Sequence, residues 1–209
     1  MIKAILFDMD GVLIDAKEWH YEAFNKAINL FGLQISRYDH LRTFDGLPTK
    51  EKLKILSSVN FLPESLHTFI NKLKQQYTME YIHTTCKPMF HHQFALSKLR
   101  QEGYKIAVCS NSIRRTVETM MDYADLSKYL DLIVSNEDVT KNKPDPEMYL
   151  TAISKFGLKP EECLVVEDNP NGVRAGLSSG AFVLQVDTVY DVNYRNIKSK
   201  IELSERSAK

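Results

Sequence analysis

Apolar residues gather in short runs at Ile2–Phe7, Lys105–Cys109, Leu132–Ser135, Cys163–Glu167 and Ala181–Val186. Runs this short, bounded by Gly, Asp, Asn and Ser, predict strands rather than helices. Among the last four runs, apolar residues instead recur at helical spacing, over Met89–Glu102, Ile113–Tyr123, Pro146–Phe156 and Gly172–Ser178. Strands that alternate with helices predict an α/β fold built on a parallel, doubly wound sheet.

The interval from the first strand to the second breaks this rhythm, because residues 16–85 contain helix patterns only. One runs over Glu18–Phe31, with Phe24, Ala27, Ile28 and Phe31 on one face. A second lies near Lys50–Leu56. A third follows Pro63, a helix-start signal, and aligns Leu66, Phe69, Ile70, Leu73 and Tyr77. The chain therefore divides into a core, residues 1–15 and 86–209, and a helical insert, residues 16–85, at the carboxyl edge of strand one. The tail after Asp191 is polar; a short helix and loose last residues are expected there.

Composition narrows the partners. Of 209 residues, 44% are hydrophobic and 26% charged, enough to build a core. Lys+Arg and Asp+Glu both number 27, so bulk attraction to nucleic acid or an anionic membrane is not expected. Cys86, Cys109 and Cys163 form no CxxC pair, which argues against a disulfide framework or structural zinc; Cys109 and Cys163 read as buried thiols. Met1–Phe7 is too short for a signal peptide or a membrane span, and the cytoplasm is the expected location.

Four polar motifs sit where strands end. In Phe7-Asp8-Met9-Asp10-Gly11 two carboxylates stand two residues apart, and i and i+2 point the same way in a strand. One can attack while the other manages protons, and Gly11 permits the turn. In Ser110-Asn111-Ser112 a hydroxyl and an amide precede a helix, whose free N–H groups suit phosphate or, more simply, a cap from Asn111 or Ser112. Arg114 and Arg115 follow in the first helical turn, where cations oppose the dipole and a bound anion would relieve them. Lys143, ahead of Pro144, offers an ammonium that could neutralise a phosphate and a nucleophilic carboxylate together. Glu167-Asp168 close strand four with the hard oxygen ligands that suit Mg²⁺, or with a plain helix cap from Asp168 or Asn169. Each motif alone has a structural explanation. Their joint occurrence, in order and at strand carboxyl ends, points to a ligand site.

These four segments, Asp8-Met9-Asp10, Ser110-Asn111, Lys143 and Glu167-Asp168, resemble in order and spacing the haloacid dehalogenase superfamily. The resemblance spans nearly the whole chain and is nearest to members of the phosphoglycolate phosphatase and β-phosphoglucomutase types. It implies a Rossmann-like sheet of order 3-2-1-4-5, with residues 16–85 as a small all-helical cap. It also implies Asp8 as nucleophile, Asp10 as general acid/base, and Lys143 as the third catalytic residue. Ser110 and Asn111 would bind phosphate. Mg²⁺ would be held by Asp8, the backbone carbonyl of Asp10, and Asp168, with Glu167 as a further ligand. Members that act as dehalogenases lack the second acid, so Asp10 speaks against that reaction.

The implied function is Mg²⁺-dependent hydrolysis of a small phosphorylated metabolite, a sugar phosphate or a phosphoglycolate-like acid, by a monomer or homodimer. His20, Lys50 and Lys74 in the insert are the candidate substrate contacts; His20 continues the apolar face of the first insert helix, and Lys74 borders that of the third. A sugar phosphomutase is the alternative, and a non-catalytic phosphate-binding or phospho-receiver module the second. β-Phosphoglucomutases carry an arginine shortly after the glycine matched here by Gly46, where this chain reads Leu47-Pro48-Thr49-Lys50, and a threonine where it has Ala16. Lys50 lacks a guanidinium's bidentate fork. Arg114 remains as a core-side anchor for a second phosphate. Water is therefore the expected final acceptor.

Overall fold

Short apolar segments buried on both faces can only pair side by side, and here they do so in parallel. In a computed structural model, which describes residues 1–207, β1 (Ala4–Phe7), β2 (Lys105–Cys109), β3 (Leu132–Val134), β4 (Cys163–Glu167) and β5 (Phe182–Gln185) form one sheet. All pairings are parallel and the order is β3-β2-β1-β4-β5. Every residue of β1 and β4 is buried, which explains their unbroken apolar character.

The chain separates into two compact units, Met1–Asp15 with everything from Cys86 onward, and Ala16–Thr85. The regular elements of the second unit are all helices. The unit holds α1 (Lys17–Asn29), a single turn α2 (Arg37–Asp39) leading into a π-helical stretch His40–Phe44, α3 (Thr49–Asn60), and α4 (His67–Thr85). Phe24, Ala27 and Ile28 of α1 pack with Ile35, Phe44, Leu53, Leu56, Leu62 and Ile70 as its core. The buried stripe of α4 departs from the expected face. It runs Ile70, Lys74, Thr78, Ile82, while Phe69 is 53% exposed and Leu66, Leu73 and Tyr77 are only partly buried. The helix extends to Thr85, and its inward i, i+4 row is carried on by a lysine stem and a threonine that a count of apolar positions passes over.

In the first unit α5 (Phe90–Gln101), α6 (Arg114–Tyr123), α7 (Glu147–Phe156) and α8 (Pro170–Ser178) lie close to their expected bounds. Met148, Tyr149, Ala152 and Ile153 of α7 pack against Leu6, Ala107, Cys109, Val134 and Val165 of the sheet. The tail carries a longer helix than expected, α9 (Tyr194–Ser207). Its inner row of Ile197, Ile201 and Ser204 is narrow, so its polar composition hides the pattern. The expected looseness of the last residues lies outside the described ones. No helix among the described residues is long and apolar enough to cross a membrane.

Candidate active site

The sheet register delivers three of the motifs to one level. Phe7 lies opposite Val108 on one side and Val166 on the other. The next residues, Asp8, Cys109 and Glu167, therefore emerge side by side at the carboxyl ends of adjacent strands. Beyond Asp8 the chain turns at once: the Gly11 N–H donates to the Ile14 carbonyl at 2.7 Å, and Gly11 adopts φ +88°, a conformation that a side chain would strain.

Lys143 reaches this level from the loop after β3 and places its ammonium among three acceptors. Nζ donates to Asp8 Oδ1 at 2.6 Å, Glu167 Oε1 at 2.6 Å and the Cys109 carbonyl at 2.8 Å. Burial alone would discharge this lysine, but Asp8 and Glu167 outweigh burial and raise its pKa, so it stays cationic. Asp8 moves the opposite way from an ordinary ion-paired acid. Burial and then the Glu167 charge push its carboxyl well up, with Asp168 and Asp10 adding to the rise, and Lys143 offsets only part of it.

Oxygens of Asp8, Glu167 and Asp168 lie within 4.8 Å of one another. With one ammonium against these carboxylates, the centre carries excess negative charge in a buried place. A divalent cation would correct that, and the donors are the hard oxygens that Mg²⁺ prefers. Asp168 is not consumed as a helix cap: Asn169 caps α8, its side chain accepting from the Asn171 N–H at 2.9 Å.

The second motif behaves differently from a simple helix start. The N-cap residue of α6 is Ile113, whose side chain makes no cap bond; the Arg114 N–H at the first turn donates to Glu137 Oε2 at 2.7 Å, so the protein's own carboxylate serves that end. Ser110 is buried, and its Oγ accepts from the Ser112 N–H at 3.1 Å. Asn111 Oδ1 accepts from the Lys143 N–H at 3.2 Å, tying motif two to motif three. Ser112 Oγ donates to Asp10 at 3.4 Å. Arg114 does not stand ready for a second phosphate. Its Nη2 donates to both oxygens of Asp138, at 2.8 and 2.7 Å, and to the Ile133 carbonyl at 3.3 Å.

Of the candidates in the helical unit, two meet. Lys74 Nζ lies 3.0 Å from His20 Nδ1, and Lys74 is buried. Lys50 is exposed; on α3 the inward lysine is Lys52, two residues and more than half a helical turn away. Lys52 stands over the Phe24 ring, and burial, then Lys52, lowers the neighbouring His40 to about 4.

A family comparison decides the relationship: residues 5–186 match the haloacid dehalogenase-like hydrolase model. The chain is a haloacid dehalogenase-like hydrolase. Among curated members, this hydrolase is 29% identical over 191 residues to the phosphorylated carbohydrates phosphatase of Thermotoga maritima, covering 91% of this chain and 85% of that protein. It is 28% identical over 179 residues to the phosphoglycolate phosphatase of Aquifex aeolicus, covering 86% and 82% respectively. Its fold is that of the β-phosphoglucomutase structure from Clostridium difficile, with a TM-score of 0.85 across 100% of both chains at 23% identity.

Two residues at the centre of this haloacid dehalogenase-like hydrolase, Tyr149 outside the motifs and Gly172 at the end of the fourth, take on a role only in the folded structure. Tyr149 reads as an ordinary core position of α7, yet its hydroxyl donates to Glu167 Oε1 at 2.6 Å. Gly172 reads as a helix residue, yet a Cβ there would lie 1.9 Å from that same oxygen. The three cysteines are buried free thiols, pushed up by burial to about 11 for Cys86 and about 12 for Cys109 and Cys163. They are poor nucleophiles in that state.

Proposed function

We propose that this hydrolase is a Mg²⁺-dependent phosphatase that cleaves a small phosphorylated metabolite through a phosphoaspartate on Asp8. The observation that carries the reading is the buried carboxylate of Asp8, clamped by Lys143 and faced by Glu167 and Asp168. An acid so crowded is poorly placed for stability, and groups with strongly displaced pKa values mark functional sites.

Asp8 and Asp168 would hold the ion, with Glu167 and the Asp10 carbonyl as further ligands. When bound, Mg²⁺ supplies a Lewis acid that draws charge off the phosphoryl oxygens and favours the ionised form of Asp8. Asp8 attacks phosphorus, the ester P–O bond breaks, and Asp10 gives its proton to the departing alkoxide. Asp10 then takes a proton from water, which attacks the acyl phosphate, releases inorganic phosphate and returns Asp8 to a carboxylate. Lys143 holds Asp8 in one orientation through both steps, and Ser110 and Asn111 offer polar groups to the phosphoryl oxygens. His20 and Lys74 are the substrate contacts that we retain in the helical unit; solvent-facing Lys50 is the weakest of the three.

The two curated relatives named above act on a phosphorylated carbohydrate and on phosphoglycolate, and we propose a substrate of the same size and charge. Arg114 is engaged with Asp138, which removes the core-side anchor that a mutase could use for a second phosphate. A panel of sugar phosphates and phosphohydroxy acids, followed by phosphate release with Mg²⁺ and with excess chelator, tests the reading. Turnover undiminished by chelator would overturn the metal assignment. Phosphorus NMR with β-glucose 1-phosphate and a trace of the bisphosphate should show inorganic phosphate; clean conversion to the 6-phosphate would make the protein a mutase.

A further inference from the structure

We propose that Tyr149 and Gly172 are positioning residues that fix the carboxylate of Glu167, and through it the cation site and the Lys143 ammonium. The proposal rests on the Mg²⁺ reading given above. Tyr149 is fully buried, and a phenol in that position needs a hydrogen-bond partner. Its hydroxyl goes to Glu167 Oε1 at 2.6 Å. The same oxygen accepts from Lys143 Nζ at 2.6 Å. The Tyr149 ring also lies 4.8 Å from that Nζ, so a single side chain bonds the acid and backs the cation.

The donor count shows how tight this is. An ammonium has three N–H bonds, and Lys143 assigns them to Asp8, Glu167 and the Cys109 carbonyl. Glu167 Oε1 carries two short charge-assisted or phenolic bonds. Among the described residues, Oε2 accepts only from the Asp168 N–H, at 3.2 Å. Tyr149 and Lys143 therefore hold one oxygen and leave the other with the greater spare lone-pair capacity for a ligand.

Gly172 comes close to the same carboxylate. A Cβ at this position would stand 1.9 Å from Oε1, 2.0 Å from Cδ and 2.3 Å from Oε2. The carboxylate thus lies flat against a bare Cα, and any side chain there would force it out of place. Mg²⁺ demands near-octahedral ligands at fixed distances, so a carboxylate held by two hydrogen bonds and a close backbone is worth more to it than a mobile one.

The test is calorimetric titration of Mg²⁺ into the intact protein, for wild type, Tyr149→Phe and Gly172→Ala, with thermal melts in chelator alongside. Tyr149→Phe removes one oxygen and keeps the ring, so it carries the decision by itself. We expect its Kd for Mg²⁺ to rise about 10- to 100-fold, and Gly172→Ala to weaken binding at least as much. A Kd for Tyr149→Phe equal to that of wild type, whatever happens to its melting temperature, would reduce Tyr149 to a packing residue and overturn the proposal. Wild type that takes up no Mg²⁺ would bring down the metal reading itself, and this inference with it.

Discussion

Replacing Lys143 by Met leaves two buried carboxylates without their shared cation, and the cost can be worked out from the site. The Lys143 side chain is 4% exposed, that of Glu167 1% and that of Asp8 12%. Ligand oxygens of Asp8 and Glu167 lie within 4.8 Å, where two unit charges at an effective dielectric near 20 repel by roughly 3–4 kcal/mol. Removing one member of a buried ion pair costs about 3–5 kcal/mol by direct comparison. Both routes give the same size of loss for Lys143→Met in metal-free protein. Asp8 can escape part of it by taking a proton, because its carboxyl is already pushed up by burial and by Glu167. A carboxyl whose folded pKa is raised destabilises the fold increasingly as pH climbs above its unfolded value. The deficit should therefore be small near pH 5 and largest near pH 8. Urea unfolding in chelator at the two pH values measures it. A loss under about 1 kcal/mol at pH 8, or one that fails to grow between pH 5 and pH 8, would refute this account of the charge balance.

Other substitutions separate roles within the site and its frame. Asp8→Asn should form no phosphoenzyme from labelled substrate, whereas Asp10→Asn should still bind substrate but turn over on the order of 10²–10⁴-fold more slowly; label appearing on another residue in Asp8→Asn would show the nucleophile to be misassigned. Asp138 is opposed by burial, but bonds from the Ser135 N–H and hydroxyl and from Arg114 prevail and hold it at about 2 against an ordinary 3.8. A depressed acid stabilises above its unfolded pKa and loses that contribution as pH falls through the folded one, so Asp138→Asn should cost roughly 2 kcal/mol at pH 7 and about half of that at pH 3. An equal deficit at both values would mean that the charge is not what Asp138 contributes.

Much of this architecture can be read along the chain because its signals are local. The limits of β2 and β4 follow from apolar runs stopped by Ser110 and Asp168, and the four polar motifs fall where those runs end. What stays hidden depends on residues distant in sequence. Glu137 caps a helix that begins twenty-three residues before it, so a search for a cap just ahead of α6 finds Asn111 and Ser112 instead. Tyr149 occupies a regular inward position of α7, and periodicity cannot tell a hydroxyl that ends in the core from one that ends on Glu167. Lys50 and Lys52 are chemically alike, and only the buried face of α3 distinguishes them. Lys74 and Thr78 lie on the inner row of α4, where a rule that looks for apolar residues places the stripe slightly off.

The insertion point of the helical unit has a consequence for how such a protein can change. Asp8, Lys143, Tyr149, Glu167 and Gly172 all belong to the unit made of Met1–Asp15 and the chain from Cys86 onward. The segment Ala16–Thr85 leaves after β1 and its turn and returns before α5, with a hydrophobic core of its own. The hydrogen bonds among Asp8, Lys143, Tyr149 and Glu167 involve no residue of that segment. If the helical unit supplies the substrate contacts proposed above, exchange of that unit alone should change selectivity and leave the proposed reaction chemistry in place.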